Sequence, residues 1–114
     1  MIRQITKTFT NDAFLCHIQQ LLEANLDDET FGVLQLAQAI YLSECQLYRK
    51  VKARTGQSTA AYMRSYRLAR GRQLLSNSQL SVREIAYRVG FSDPCYFSRT
   101  FSREYGLSPT RARA

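Results

Sequence analysis

A duplication constrains this chain more than any other feature. Ser43, Leu47, Val51 and Gly56 recur fifty residues later as Asp93, Phe97, Phe101 and Gly106. Each set reads as one helix, with a capping residue, two inward apolar positions four apart and a glycine stop. A shorter apolar pattern precedes each: Val33, Leu36, Ala37 and Ile40 in the first unit, Ile85, Ala86 and Val89 in the second. These preceding helices align at an offset of 49, Ala37 with Ala86, so the second turn carries one extra residue. Short helix, tight turn and longer helix, written twice, predict an all-α fold with two helix-turn-helix units, residues 33–56 and 81–106.

The signals inside each unit are local and consistent. Ser43 with Gln46, and Ser81 with Glu84, have the spacing of capping boxes, in which two orphan amides are satisfied reciprocally. Asp93 before Pro94 pairs an N-cap with a favoured first helical residue, and Gly90 makes the turn. Between the units, Ser58 caps a long helix predicted over 59–75, a rod of roughly 25 Å. Its apolar residues, Tyr62, Met63, Tyr66, Leu68, Leu74 and Leu75, cover more than one face, so it packs on both sides. Gly71 in its middle costs about 1 kcal/mol against Ala, which predicts close approach of a neighbouring helix.

The flanks are simpler. Residues 1–10 read as a leader or linker, and residues 11–114 as one domain of about seven helices. Asn11 or Thr10 is positioned to cap a first helix running to about Ala24, with Phe14, Ile18, Leu21 and Leu22 as its apolar stripe. An acidic connection, 25–32, tucks Leu26 and Phe31 inward. Ser108-Pro109 opens a last helix predicted to be short and frayed.

Charge gives the first indication of function. The 114 residues carry a net +7, but unevenly. Residues 1–32 hold two basic and five acidic side chains, hence −3; residues 33–114 hold fourteen basic and four acidic, hence +10. The positive field coincides with the duplicated units, and a polyanion is the partner it favours. Three scattered cysteines, Cys16, Cys45 and Cys95, form no metal-ligand spacing and suit a reduced, cytoplasmic protein. The single His17 stands beside Cys16 on the lead-in helix without a third catalytic partner, and no glycine-rich phosphate loop is present. No enzyme, no metal and no cofactor is expected.

A duplicated helix-turn-helix with excess positive charge points to double-stranded DNA. A major groove about 12 Å wide accepts a helix, whose reading side chains recur at i, i+3 and i+4. In the first unit that face is Glu44, Cys45, Tyr48, Arg49 and Lys52; in the second it is Pro94, Cys95, Ser98, Arg99 and Ser102. Arg49 and Arg99, at the same station of both helices, are the candidates for bidentate contact to guanine, worth about 1–3 kcal/mol. Phosphate contact or plain solvation is the other reading for both. Cys45 and Cys95 either touch a thymine methyl or are inert fillers. Lys50, Lys52, Arg54, Ser102 and Arg103 are candidates for phosphates, where contacts carry affinity but no sequence information. Arg67 is expected to brace the linker helix. An RNA-binding protein, or a helical module for an acidic protein partner, would use the same charge but leave Arg49 and Arg99 without matched roles.

The segment IAYRVGFSDPCYFSRTF, followed by YGLSP, resembles the signature region of the AraC/XylS family of bacterial transcription regulators. LAQAIYLSECQLYRKVKARTG and YMRSYRLARGRQLL resemble the rest of that DNA-binding domain, so the likeness covers residues 31–113. The wording LYRKVKARTG behind an acidic lead-in helix is most similar to the version that ends hybrid two-component regulators. That resemblance implies a C-terminal output domain of a longer chain with sensor and receiver domains. It also implies recognition helices in successive major grooves, dimers on direct repeats and recruitment of RNA polymerase. Two residues depart from the family pattern. Gly71 stands where Ala is usual, which implies a looser linker helix, and Ala112 stands where an aromatic is common, which weakens the expected packing of the last helix.

Overall fold

The structure, a computed structural model, describes residues 12–114. The leader at 1–10 and the caps expected at Thr10 and Asn11 lie outside the described residues. Among the described residues seven helices follow one another: α1 Ala13–Ala24, α2 Val33–Ala39, α3 Glu44–Thr55, α4 Thr59–Asn77, α5 Val82–Arg88, α6 Pro94–Tyr105 and α7 Pro109–Arg113. The linker helix α4 runs two residues past the predicted 75, ending where Ser78 leaves helical geometry.

Asp12 is the cap of α1. Its Oδ1 accepts from the amides of Phe14 and Leu15 at 2.9 and 3.1 Å. The buried stripe is Leu15, Ile18 and Leu22, rather than the predicted set that included Phe14 and Leu21. Those two are half-buried flanks packed against the core, whose buried members include Leu15, Leu36 and Leu47.

The two turns share a backbone and differ in chemistry. In the first, Leu42 N–H donates to Ala37 O at 3.0 Å; in the second, Phe91 N–H donates to Ala86 O at 2.9 Å. Each turn needs one left-handed residue, Tyr41 at φ 60° and Gly90 at φ 90°. Tyr41 points into solvent, 93% exposed, and tolerates a strain of about 1 kcal/mol. At Gly90 a β-carbon would collide with the Arg67 guanidinium and with Leu26 O. The extra residue of the second turn is Ser92, just before the Asp93 cap.

α4 threads both units and explains its mixed apolar faces. Its first half gives Tyr62 and Met63 to a core shared with α1, α2 and α3. Its second half gives Leu68 and Leu75 to a core with Ile85, Val89, Phe97 and Phe101. Gly71 belongs to the contact between α4 and α6. A β-carbon there would stand 3.0 Å from the Phe97 ring, so the glycine admits a close neighbour and the helix runs through it unbroken. The last helix is short but anchored. Pro109 is buried, Ala112 packs against the second core, and Arg113 donates to the carbonyls of Leu75, Ser78 and Leu80.

Arg67 ties three segments together. Its Nη1 donates to Leu26 O at 2.6 Å and Val89 O at 2.9 Å; its Nη2 donates to Asp28 O at 3.2 Å and Phe31 O at 3.1 Å. Burial pushes the guanidinium below its usual range, opposed by the nearby Asp28 carboxylate, but an arginine stays charged at neutral pH. The planar fork serves four carbonyls at once, which an ammonium cannot do. Arg67→Lys is expected to cost about 2 kcal/mol, read as a lower urea midpoint at unchanged slope. A loss below about 0.5 kcal/mol would show that the brace contributes only what a surface pair does.

The acidic lead-in also grips α4 through Glu23, whose carboxylate accepts from Arg70 Nε and Nη2 at 2.9 Å each and from the Tyr66 hydroxyl at 2.6 Å. The Arg70 hydrogen bond is the main reason its carboxyl lies below the ordinary 4.5, partly opposed by burial. A carboxyl depressed on folding stabilises the protein above its unfolded pKa, and this contribution fades as pH falls through the lower folded value. Glu23→Gln should therefore cost up to about 1 kcal/mol at pH 7. In denaturation measured from pH 7 to pH 3, the gap to wild type should close below about pH 4.5. A gap independent of pH would exclude the ionised carboxylate as its source.

Candidate nucleic-acid interface

The candidate readers lie on α3 and α6, both 12 residues long. Ser43 Oγ accepts from Gln46 N–H at 3.0 Å while Gln46 Oε1 accepts from Ser43 N–H at 2.9 Å, completing the capping box. Asp93 Oδ1 accepts from Cys95 N–H at 2.9 Å. Gly56 and Gly106 close the two helices in the left-handed region at φ 75° and 78°. With Leu47 and Val51 buried on one side of α3, and Phe97, Thr100 and Phe101 on one side of α6, the helical period fixes what faces outward.

Cys45, Tyr48, Arg49 and Lys52 are exposed together along α3, and Cys95 and Arg99 along α6. Ser98 and Ser102 are half-buried at the edge of the α6 face. Tyr96, absent from the predicted set, is 40% exposed, with the Arg99 guanidinium 5.8 Å from its ring centre. Its spacing of three from Arg99 is the signal that would have found it.

The cations expected on phosphates divide into committed and free. Arg54 Nε donates to Asp12 Oδ2 at 2.9 Å, and its guanidinium lies 4.9 Å from the Phe14 ring centre. Lys50 approaches the same ring at 5.8 Å. Lys52 Nζ donates to Gly56 O at 2.9 Å, capping its own helix. Arg70 is held by Glu23, and Arg72 lies 4.5 Å over the Tyr105 ring. Arg49, Arg64 and Arg103 are exposed and, among the described residues, make no side-chain hydrogen bond, ion pair or ring contact. Asp12 is held below the usual carboxylate range, chiefly by the Leu15 amide and, among its other partners, by Arg54.

A cleft of about 240 Å³ opens between the linker helix and the second unit, with Ala60, Met63 and Arg64 of α4 on one wall and Phe91, Ser92 and Tyr96 on the other. No group of three or more potential metal ligands occurs among the described residues, and none of their helices is long and apolar enough to cross a membrane. The three cysteines are free thiols, Cys16 half-buried and Cys45 and Cys95 exposed. The arrangement offers two protruding helices with outward arginines, held at a fixed separation by α4. It is suited to binding a polyanion.

A helix-turn-helix domain family matches residues 36–114. The chain is 39% identical over 103 residues to the HTH-type transcriptional activator RhaS of Salmonella schwarzengrund, covering 90% of this chain and 37% of that protein. It is 31% identical over 108 residues to histidine kinase P4 of Formosa agariphila, covering 95% of this chain and 8% of that protein. The chain thus spans well under half of either relative. Among solved structures, it superposes on the DNA-binding domain of the global transcriptional factor AdpA in complex with a target DNA. That superposition has a TM-score of 0.78 at 28% identity, over 86% of this chain and 87% of that one. The paired units, the linker helix between them and the sequence match over most of the length converge, and the chain belongs to the AraC-type helix-turn-helix family of DNA-binding domains.

Proposed function

We propose that this chain binds double-stranded DNA sequence-specifically as the output domain of a bacterial transcription regulator, with α3 and α6 in successive major grooves of one DNA face. The observation that carries this reading is the pairing of Arg49 with Arg99. They stand exposed at the same station of two equivalent helices, held apart by one continuous helix. Residues 33–56 and 81–106 act as the two readers and 59–75 as their spacer. Cys45, Tyr48 and Arg49, with Cys95, Ser98 and Arg99, meet base edges.

Lys50, Lys52, Arg54, Ser102 and Arg103 serve phosphates. Arg103 is free for this as it stands, whereas Arg54 and Lys52 must exchange or share an internal partner. The likeness to a stretch of a histidine kinase, and to the C-terminal domain of a two-component response regulator, supports sensor and receiver domains upstream, in a cytoplasmic regulator whose signal is relayed to this segment. Recruitment of RNA polymerase and dimers on direct repeats complete the proposal, in keeping with the likeness to an activator.

Titration with a random duplex at rising salt separates this reading from an acidic-protein or RNA partner, because duplex affinity should fall linearly on a log–log plot. On a duplex selected from a random library, Arg99→Ala should reduce discrimination against scrambled sequence by about 1–3 kcal/mol, roughly 5- to 150-fold. Unchanged discrimination would remove Arg99 from base reading. The same duplex should protect Cys45 and Cys95 from alkylation while leaving Cys16 on α1 at its unbound rate; equal modification with and without DNA would place both thiols away from the groove.

A further inference from the structure

The cleft between the linker helix and the second unit is lined by cations that no side-chain acid in it pairs. Two of its lining residues are cations, Arg64 and Arg67, and none is an acid. Arg67, at its base, hydrogen-bonds only backbone carbonyls, and the nearby Asp28 carboxylate offsets part of its charge without forming an ion pair. Arg64, one turn earlier on α4, is exposed and unpartnered among the described residues. This contrasts with Arg70, one turn later, which Glu23 holds. Ser92 and Tyr96 across the cleft are exposed and bring hydroxyl groups to the same opening.

Its position in the chain gives the cleft a meaning. Ala60 on one wall follows the Gly56 stop of α3 by four residues, and Tyr96 on the other lies in the first turns of α6, beneath Arg99. The cleft therefore lies between the first turns of the linker helix, which leads away from α3, and the first turns of α6. When two helices occupy successive major grooves on one face of a duplex, a sugar–phosphate strand bordering the intervening minor groove passes between them. We infer that Arg64, with Ser92 and Tyr96, binds a backbone phosphodiester of that strand, pinning the DNA at its midpoint. This rests on the DNA reading proposed above. The linker helix is then a third point of contact as well as a spacer. Its contribution is indifferent to base identity, since a phosphate looks the same in every sequence.

The test uses the same library-selected duplex and its scrambled counterpart, with wild type, Arg64→Ala and Arg64→Lys. Removing one phosphate contact should make the slope of log K against log salt shallower by about 0.9 and weaken binding equally on both duplexes. Arg64→Lys should keep the slope, because a single ammonium still neutralises one phosphate. Replacing phosphates one at a time with neutral methylphosphonates between the two grooves should weaken wild type at one or two positions and leave Arg64→Ala unaffected there. If Arg64→Ala keeps both the wild-type slope and the methylphosphonate sensitivity, the inference is overturned while the DNA reading stands. If wild type binds neither duplex at any salt, the DNA reading fails and takes the inference with it. Since Arg64 has no internal partner, the Ala variant should unfold at the wild-type urea midpoint, which separates lost contact from lost fold.

Discussion

The Arg67 guanidinium is the interaction on which the relative placement of the two units depends. Its four acceptors come from two places: Leu26, Asp28 and Phe31 in the connection after α1, and Val89 at the end of α5. Each of these carbonyls lies at a helix end or turn, and that of Asp28 also accepts from Phe31 N–H. One buried cation on the joining helix thus ties the lead-in connection to the turn of the second unit. A continuous helix alone would fix separation and leave each unit free to roll about it. A planar fork bonded on both sides removes that freedom, because four acceptors constrain direction as well as distance. Gly90 follows from this, since any side chain at that position would displace the fork.

The division of charge works in the same direction. The acidic lead-in does not cancel the basic units evenly. Glu23 takes Arg70 and Asp12 takes Arg54, both toward the side where α1 packs, while aromatic rings take Arg72 and Lys50. Arg49, Arg64, Arg88, Arg103 and Arg111 are left free among the described residues, and Arg99 rests only on an exposed ring. Net charge draws the chain toward a polyanion, but the engaged cations decide where the free positive charge lies. In this way α1 helps set the charge pattern of the units that follow it.

Much of this was legible in sequence because it is local. A cap and its third neighbour, a glycine stop or an apolar pair four apart each depends on residues within a single turn. That is why Ser43, Asp93, Gly56 and Gly106 stand in the structure where the sequence puts them. The outward faces follow for the same reason, since burying Leu47 and Phe97 leaves no choice for Arg49 and Arg99. What escaped was set by distant partners. The acceptors of Arg67 lie 22 to 41 residues away, those of Arg113 33 to 38, and the carboxylate on Arg54 lies 42 away. The close neighbour expected at Gly71 is the Phe97 ring, but which residue it would be depended on packing across 26 residues. The last helix, expected to fray, is tied to the end of α4 by Arg113. The cap of α1 is Asp12, one residue past Asn11, and its buried stripe is Leu15, Ile18 and Leu22.

The duplication hides an asymmetry that matters for how each helix is held. α3 is steadied from outside its unit, by Asp12 and Phe14 of the lead-in against Arg54 and Lys50 on its last turns. α6 is steadied from within, by a run of rings in which Phe91, Phe97, Phe101 and Tyr105 are spaced 5.2, 5.7 and 4.7 Å apart in turn. Aromatic packing is insensitive to salt and to charged ligands, whereas a half-exposed ion pair is weakened by both. A phosphate approaching α3 competes with Asp12 for Arg54; none competes for the rings behind α6. The second unit therefore holds its outer helix independently of charge. The first is coupled to the segment that precedes it, because Arg54 on its outer helix is held by the lead-in carboxylate.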